Sequence, residues 1–342
     1  MLESSIHHIA KSINKELYER LPNQRKTQRE SLSLMVATML EVRSANTMEL
    51  ASALPREAER IDMRYQWIER FLKNPHIKPD EIMIPFAKEL LRYPAEHGMV
   101  VIQMDQSHLN DEFEVLMLSL SWEGRALPLF WSVEKTQGGI GFSHQKKLLS
   151  RLWPLLDRNV RVVLMGDRFY GTPDLIAYCR KNGWDYRLRL KNNLLIFQDG
   201  GEITTGELAR TPQSYHQNVL ISQKKVPTHL GIIQEEGHPE PWIIAMSSLP
   251  SFYKTLDYGL RWGIEPMFSD FKSRGFGLGN TQLQFSDRLQ RLILVMTLAM
   301  YWAVSTGMWD KKKNPLPAEK NTKNQKSYIG KSPLSLKEVC VA

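Results

Sequence analysis

The chain has 342 residues, of which 42% are hydrophobic and 24% are charged. These are values of folded globular proteins, and they exclude a chain that is disordered throughout. The length fits two domains, or one domain with appendages. Two cysteines, Cys179 and Cys340, are too few for a disulfide scaffold or a thiolate metal site. The first twenty residues lack the apolar run of a secretory signal, so we expect a cytosolic protein.

The net charge of +8 suggests an anionic partner, but most of this charge lies in one segment. Residues 311–342 contain eight lysines and two glutamates, which gives this segment a charge of +6 and leaves the remainder nearly neutral. Its polar, proline-containing composition predicts a disordered basic tail. Such a tail can contact nucleic acid or only improve solubility, and the total charge does not choose between them.

Residues 1 to about 92 show apolar spacing that predicts helices throughout. Asn46 is a candidate cap of a short helix, and a second helix follows with Arg64 and Arg70 on one face. Two such helices with exposed arginines could dock on DNA. A plain helical bundle with a solvated arginine face fits the pattern equally well.

From Met99 onward the apolar pattern changes to one that predicts strands. Three successive strands come first, with Glu123 and Gly124 forming the turn between the second and the third. Helix, apolar strand, helix and strand then follow, which predicts a mixed α/β sheet of the ribonuclease H type. Residues 192–247 predict a small β-rich insertion, and residues 251–277 predict one long helix.

The last predicted helix, residues 287–309, contains 18 consecutive residues without a charge, Leu292–Trp309. This length is at the lower edge of what spans a membrane. The run includes threonine, serine and glycine, and we prefer a helix buried in the protein core. We therefore expect no membrane association.

Three carboxylates stand out because each follows an apolar run: Asp105, Asp167 and Glu265. A buried carboxylate must be neutralised by a metal ion, a cation or a proton, and Mg²⁺ prefers such oxygen ligands. Each residue also has an ordinary interpretation, since an Asp after a strand often caps a turn and a helical Glu is usually solvated.

Helical spacing places four of the polar residues of the predicted helix 251–277 on one stripe of roughly 60°. These residues are Tyr258, Arg261, Glu265 and Lys272. The opposite side carries apolar residues that we expect to pack, namely Leu260, Ile264, Met267 and Phe271. Pro266 removes a helical hydrogen bond, so we also expect a kink there.

The spacing Tyr258-x2-Arg261-x3-Glu265-x6-Lys272 resembles the Y-R-E-K signature of a large group of bacterial insertion-sequence transposases. Asp105 and Asp167 occupy positions similar to the first two acids of the DDE triad of that family. The segment GDRFYG also resembles the family's sequence around the second acid. The resemblance covers roughly residues 95–310, and the amino-terminal helices are more loosely similar to the family's DNA-binding end.

This resemblance implies a ribonuclease H-like core with a β insertion between Asp167 and Glu265, and two Mg²⁺ ions held by Asp105, Asp167 and Glu265, with Mn²⁺ able to substitute. It implies hydrolysis at the transposon ends and then attack of the freed 3′-hydroxyl on target DNA. Tyr258, Arg261 and Lys272 would hold terminal phosphates. The partners would be double-stranded DNA, as terminal repeats and target, and a second copy of the chain in a synaptic complex.

Transposases of this kind often cut the second strand through a DNA hairpin, which requires an unstacked end nucleotide. Trp242 in the insertion and Trp262 beside Arg261 are candidates for an aromatic pocket that would hold it. Packing in the core is the simpler explanation for either tryptophan, and we favour it.

The sequence therefore predicts a cytoplasmic, nucleoid-associated enzyme of three parts. These are a helical DNA-binding domain over residues 1–92, a catalytic domain over 93–310 and the basic tail. Two alternatives remain open: a ribonuclease H-fold nuclease that does not join strands, and an inactive regulator that only binds transposon ends. Three buried carboxylates disfavour the regulator, because binding DNA does not require them.

Overall fold

The computed structural model describes residues 5–56, 60–235 and 237–314. Five helices form its amino-terminal part, as the apolar spacing predicts: α1 (Ser5–Arg20), α2 (Lys26–Val42), α3 (Thr47–Ala53), α4 (Ile61–Lys73) and α5 (Pro79–Glu96). The side chain of Asn46 caps α3 by accepting hydrogen bonds from the amides of Met48 and Glu49, so the predicted cap is confirmed.

The first half of the sheet follows, interleaved with two helices, in the order predicted from the sequence. Its elements are β1 (Met99–His108), β2 (Phe113–Trp122), β3 (Arg125–Lys135), α6 (Phe142–Leu149), β4 (Arg161–Gly166), α7 (Pro173–Lys181) and β5 (Asp185–Arg189). The β2–β3 turn has positive φ angles at Glu123 and Gly124, which is the geometry of a tight two-residue hairpin. The helix predicted between β3 and β4 is not continuous: α6 ends at Leu149, and only a 3₁₀ turn, Trp153–Leu155, follows it.

The insertion adds five short strands and one helical turn: β6 (Leu195–Gln198), β7 (Gly201–Thr204), α8 (Thr205–Leu208), β8 (Gln213–Ile221), β9 (Val226–Ile233) and β10 (Trp242–Met246). These strands do not form a separate sheet. The described strands make one ten-stranded sheet in the order β3-β2-β1-β4-β5-β10-β9-β8-β6-β7, in which β10 pairs antiparallel with β5. Strands β4 and β5 run parallel to β1, while β2 and β3 run antiparallel. This mixed sheet confirms the predicted α/β fold of the ribonuclease H type.

The single long helix predicted over residues 251–277 is wrong. The segment consists of α9 (Phe252–Leu256), a 3₁₀ helix (Asp257–Gly263), α10 (Ile264–Ser269) and a π-helical turn (Asp270–Arg274). Gly259, Gly263 and Pro266 all disfavour a regular α-helix in this segment. Contacts with the rest of the protein therefore determine its local geometry. The break comes before Pro266, not only at the predicted kink.

The last helix, α11 (Ser286–Lys313), packs against the amino-terminal helices and strand β3. Its Ser286–Asp310 portion is long and apolar enough to cross a membrane, but 78% of its most apolar stretch is buried inside the protein. It therefore has the environment of a core helix, as preferred from the sequence. The helix also extends to Lys313, so the predicted disordered tail does not begin at residue 311. Residues 315–342 of that tail lie outside the described residues.

Candidate active site

Two predicted acids come together at the end of the parallel strand pair. Met104 of β1 is in register with Gly166 of β4, so Asp105 and Asp167 occupy the next position of the two neighbouring chains. The Asp105 side chain is 15% exposed. Burial, together with the charge of Asp167, raises the pKa of Asp105 to about 7. The strand order therefore brings two carboxylates to one point, and the charged form of Asp105 is unfavourable there.

The turn after β4 fixes the second acid. The Asp167 side chain accepts a hydrogen bond of 2.8 Å from the amide of Phe169, and its carbonyl accepts one from the amide of Tyr170. A Cβ at Gly166 would lie 2.8 Å from the Cβ of Tyr170, so only glycine fits beneath this turn. Tyr170 is fully buried under the acids, and its hydroxyl has no hydrogen-bond partner among the described residues.

Arg261 links the first and third predicted acids. Its Nη1 lies 3.1 Å from Asp105 Oδ2, and its Nη2 lies 2.5 Å from Glu265 Oε1. The Arg261 side chain is only 9% exposed, whereas that of Glu265 is 58% exposed. The expectation of a buried glutamate in the middle of a helix is therefore wrong. Glu265 is the second residue of the short helix α10, at the mouth of the site.

Two contacts hold the 3₁₀ helix that carries Arg261. The buried side chain of Gln103 on β1 donates a hydrogen bond of 2.6 Å to the carbonyl of Leu260. A Cβ at Gly263 would come within 3.1 Å of the backbone of Arg125 on β3, so this glycine permits close approach of turn and sheet. The role of Gln103 could not be predicted, since an apolar strand with one glutamine has no distinctive pattern.

Tyr258 lies inside the protein and not on an exposed stripe. It is 2% exposed and packs with Ile233, Trp242, Ile244 and Met246. Burial raises the pKa of its hydroxyl to about 12. Leu260, which was expected to pack, is instead 48% exposed. A 3₁₀ helix has three residues per turn and not 3.6, so Tyr258 and Arg261 share an inward face and Leu260 turns outward.

The two candidate tryptophans belong to an aromatic cluster around Tyr258. Trp242 is buried, with ring centroids 5.2 Å from both Tyr258 and Trp262. Trp262 is 37% exposed and stacks on His238 at 5.0 Å. Core packing, the simpler explanation, is therefore correct for Trp242. Trp262 is partly accessible to a ligand.

Lys272 lies at the carboxyl end of β1, near the acids. It belongs to the π-helical turn, and its Nζ lies 3.1 Å from the Ser107 hydroxyl, two residues after Asp105. The predicted stripe therefore has the right members near the site but the wrong geometry. Arg261 and Lys272 flank the carboxylates, while Tyr258 supports Arg261 from below, with the guanidinium 5.8 Å from the centre of its ring.

A cavity of about 320 Å³ opens beside Asp167, Tyr258 and Arg261. Arg168, Arg189, His238 and Glu240 also line it, and none of these was predicted from the sequence. Arg168 directly follows Asp167 in GDRFYG, which is the one local signal that could have identified it. The others come from β5 and from the insertion, so only the fold brings them to the site.

The two predicted DNA contacts of the amino-terminal region both lie on α4. Arg70 is exposed, whereas Arg64 is half-buried and donates a hydrogen bond of 3.4 Å to the carbonyl of Ser52 at the end of α3. Helices α3 and α4 thus pack together as a helix pair with an arginine at the surface. Their role in DNA binding stays a prediction.

Asp105, Asp167 and Glu265 are the residues that could hold a divalent metal ion at this site. Within residues 5–56, 60–235 and 237–314, no three His, Cys, Asp or Glu side chains lie close enough together to hold one ion. The donor chemistry nevertheless fits, because Asp105 and Asp167 are adjacent carboxylates whose repulsion a hard cation would relieve. Glu265 can join them only if its ion pair with Arg261 opens.

Residues 143–302 match the family model of the transposase DDE domain. The matched segment runs from α6 to α11 and includes Asp167, Arg261 and Glu265. This segment, just under half of the chain, is therefore similar to the DDE transposases, a family that acts on DNA in transposition and recombination and uses divalent metal ions. No curated protein matches the chain. The Y-R-E-K subgroup, the three site acids and the three-part domain division stay predictions.

Proposed function

We propose that this chain is an insertion-sequence transposase of the cut-and-paste type, which cleaves DNA at the ends of its element and joins them to a target. The observation that carries the proposal is the meeting of Asp105 and Asp167 on parallel strands, with Arg261 connecting Asp105 to Glu265. The transposase DDE domain match covers two of these three acids and supports the same reaction.

Asp105, Asp167 and Glu265 would hold the divalent ions. Bound Mg²⁺ would activate the attacking oxygen and neutralise the negative charge that develops on the phosphoryl and leaving-group oxygens. A cation at this place would offset the cost of ionising Asp105, because burial and the charge of Asp167 raise the pKa of its carboxyl to about 7. Glu265 is exposed, so its side chain would turn towards the acids once its ion pair with Arg261 opens.

Arg261 and Lys272 would bind phosphate oxygens at the scissile position. A guanidinium pairs with phosphate as it does with carboxylate, so Arg261 could exchange Glu265 for a DNA phosphate. Tyr258 supports the guanidinium by packing. Trp262 is exposed beside the same cavity and could stack on an unpaired end nucleotide if cleavage proceeds through a hairpin.

The amino-terminal helices would bind the terminal repeats through Arg70 on α4, within a DNA-binding domain over residues 1–92. Residues 93–310 would form the catalytic domain, and the basic tail would add sequence-independent attraction to DNA. Two copies would assemble in the synaptic complex on the bacterial nucleoid, because two ends must be cut together.

The second candidate is a nuclease of the same fold that does not join strands, since the acids serve hydrolysis equally well. One assay, with purified protein, Mg²⁺ and a labelled transposon end, distinguishes the two candidate functions. Cleavage followed by strand joining supports the transposase. Cleavage that never yields a joined product would favour the nuclease, and binding with no cleavage would favour an inactive regulator.

A further inference from the structure

A second cavity, of about 480 Å³, lies next to the active-site cavity on the side of the insertion. Four cationic side chains and one carboxylate line it: Arg168, Arg189, Lys191, Arg210 and Glu240. None of the residues from the segment 189–210 was expected to have a function from the sequence. The excess of positive charge indicates an anionic ligand.

The wall of this second cavity is built by close packing of the loop after β5 against α8. The amide of Gly206 donates a hydrogen bond of 2.6 Å to the carbonyl of Asn192. A Cβ at position 206 would lie 2.7 Å from that same oxygen, so the approach requires glycine. Arg210 follows α8 and is exposed, so the packing carries its charge to the cavity rim.

The two cavities adjoin each other, because Arg168, Arg189 and Glu240 line both. One oxygen of Glu240 lies 3.1 Å from Arg168 Nη1 and 3.6 Å from Arg189 Nη2. Glu240 is 60% exposed, and exposed ion pairs of this kind are weak. A carboxylate that bridges two arginines in this way occupies the position that a phosphate would take.

We propose that this second cavity binds a backbone phosphate of a single DNA strand that continues from the scissile phosphate, and that Glu240 competes for the same arginines in the free protein. A cavity of this volume is of the size that encloses a small ligand, roughly 300–1,000 Å³, so it accommodates an unpaired nucleotide and not a duplex. The inference rests on the proposed transposase function, because it places the strand relative to Asp167.

The test uses the full chain and a fluorescently labelled thymidine oligonucleotide as the single-stranded probe, with binding followed by anisotropy over a series of NaCl concentrations. Arg210→Ala and Lys191→Ala remove cavity charges at exposed positions, where the fold is little affected. Arg158→Ala is the matched control. It removes an exposed arginine from the loop before β4, at the opposite end of that strand from Asp167.

We expect each cavity variant to bind the oligonucleotide several-fold more weakly and to lower the salt slope by about 0.7, the value for one lost phosphate contact on a single strand. Glu240→Gln should bind several-fold more tightly than wild type, and Arg158→Ala should match wild type in affinity and slope. If both cavity variants bind like the Arg158→Ala control, or if Glu240→Gln binds no more tightly than wild type, the inference is overturned.

The same proteins are assayed for cleavage of a labelled transposon end. If wild type cleaves the end normally and the cavity variants bind the oligonucleotide as wild type does, only the proposal that the second cavity binds a phosphate is refuted. If wild type neither cleaves the end nor binds the oligonucleotide, both the proposed transposase function and the phosphate-binding role of the second cavity are refuted. Oligonucleotide binding that depends on the cavity, without any cleavage, would support the cavity and refute the function.

Discussion

The guanidinium of Arg261 lies 3.1 Å from the carboxylate of Asp105, although 156 residues separate them in the chain. The same arginine also holds Glu265, so one buried cation joins two of the three predicted catalytic acids. A metal ion and Arg261 would therefore compete for the same oxygen atoms. This relationship changes what is expected of Arg261, which the sequence indicated only as a phosphate ligand.

Arg261→Ala should increase the affinity of the DNA-free protein for Mg²⁺, because it removes the competing cation. The variant should also be less stable without metal, by about 3 kcal/mol, since it leaves the buried Asp105 carboxylate without its ion-pair partner. Thermal unfolding at increasing Mg²⁺ concentrations measures both effects. Arg20→Ala is the control, because it breaks a comparably buried pair with Glu89 far from the acids. An equal Mg²⁺ dependence in the two variants would contradict the competition.

Asp105→Asn should stabilise the metal-free protein at pH 8, by on the order of 2 kcal/mol, and should abolish cleavage. The pKa of Asp105 is raised to about 7, so folding is opposed once this carboxyl must ionise. Because this pKa is raised, the free energy of unfolding of wild type falls as pH rises from about 4 to 7. The stability advantage of Asp105→Asn over wild type is therefore absent near pH 4. Urea unfolding at both pH values checks this. If the variant is less stable than wild type at pH 8, ionisation of Asp105 does not destabilise the metal-free protein.

Tyr258→Ala should lower the free energy of unfolding by about 3 kcal/mol, because it empties a buried aromatic site. Leu260→Ala, two residues away and 48% exposed, should change it by less than about 1 kcal/mol. A continuous α-helix with Leu260 packed inward predicts the reverse order of these two losses. Urea unfolding of both variants therefore tests the 3₁₀ geometry directly.

Trp262→Ala should reduce cleavage of the second strand, because its partly exposed ring can stack on an end nucleotide. It should also lower the free energy of unfolding, by less than Trp242→Ala does, since part of the ring packs against His238 and Trp242. Trp242→Ala should lower the free energy of unfolding by about 3–5 kcal/mol, because this side chain is buried. Strand-specific labelling of the transposon end distinguishes first from second cleavage. Equal first and second cleavage by Trp262→Ala would remove this residue from the site.

Much of the fold followed from the sequence because strand and helix periodicities are local. The shared site of Asp105 and Asp167 was implied only by the resemblance to the transposase family, and the parallel pairing of β1 with β4 accounts for their neighbouring positions. The environment of Glu265 did not follow. Its position depends on a change from 3₁₀ to α geometry between Gly263 and Ile264, which contacts with β1 and β3 impose.

The charged residues beside Asp167 could not be predicted from the sequence, for a different reason. Arg189 lies on an ordinary strand, and Glu240 lies in the connection between β9 and β10, so neither belongs to a motif. They meet because the insertion continues the central sheet through the pairing of β10 with β5. A prediction that treated the insertion as a separate unit necessarily missed this part of the site.

The amino-terminal helices give a prediction that is independent of catalysis. Arg70→Ala should weaken binding to the element's own terminal repeat and hardly affect cleavage of saturating DNA, because the residue lies on α4 and not among the acids. Exposed Lys26 on α2 serves as the charge-matched control, as Lys26→Ala. An equal loss of affinity in the two variants would indicate general electrostatic attraction.

The most direct test of the central claim is a strand-transfer assay with a pre-cleaved transposon end that carries a free 3′-hydroxyl, a supercoiled target plasmid and Mg²⁺. We predict that wild type joins the end to the plasmid, and that Asp105→Asn, Asp167→Asn and Glu265→Gln each bind the end but yield no joined product. Undiminished joining by any one of these three variants would show that the substituted residue is not one of the catalytic acids.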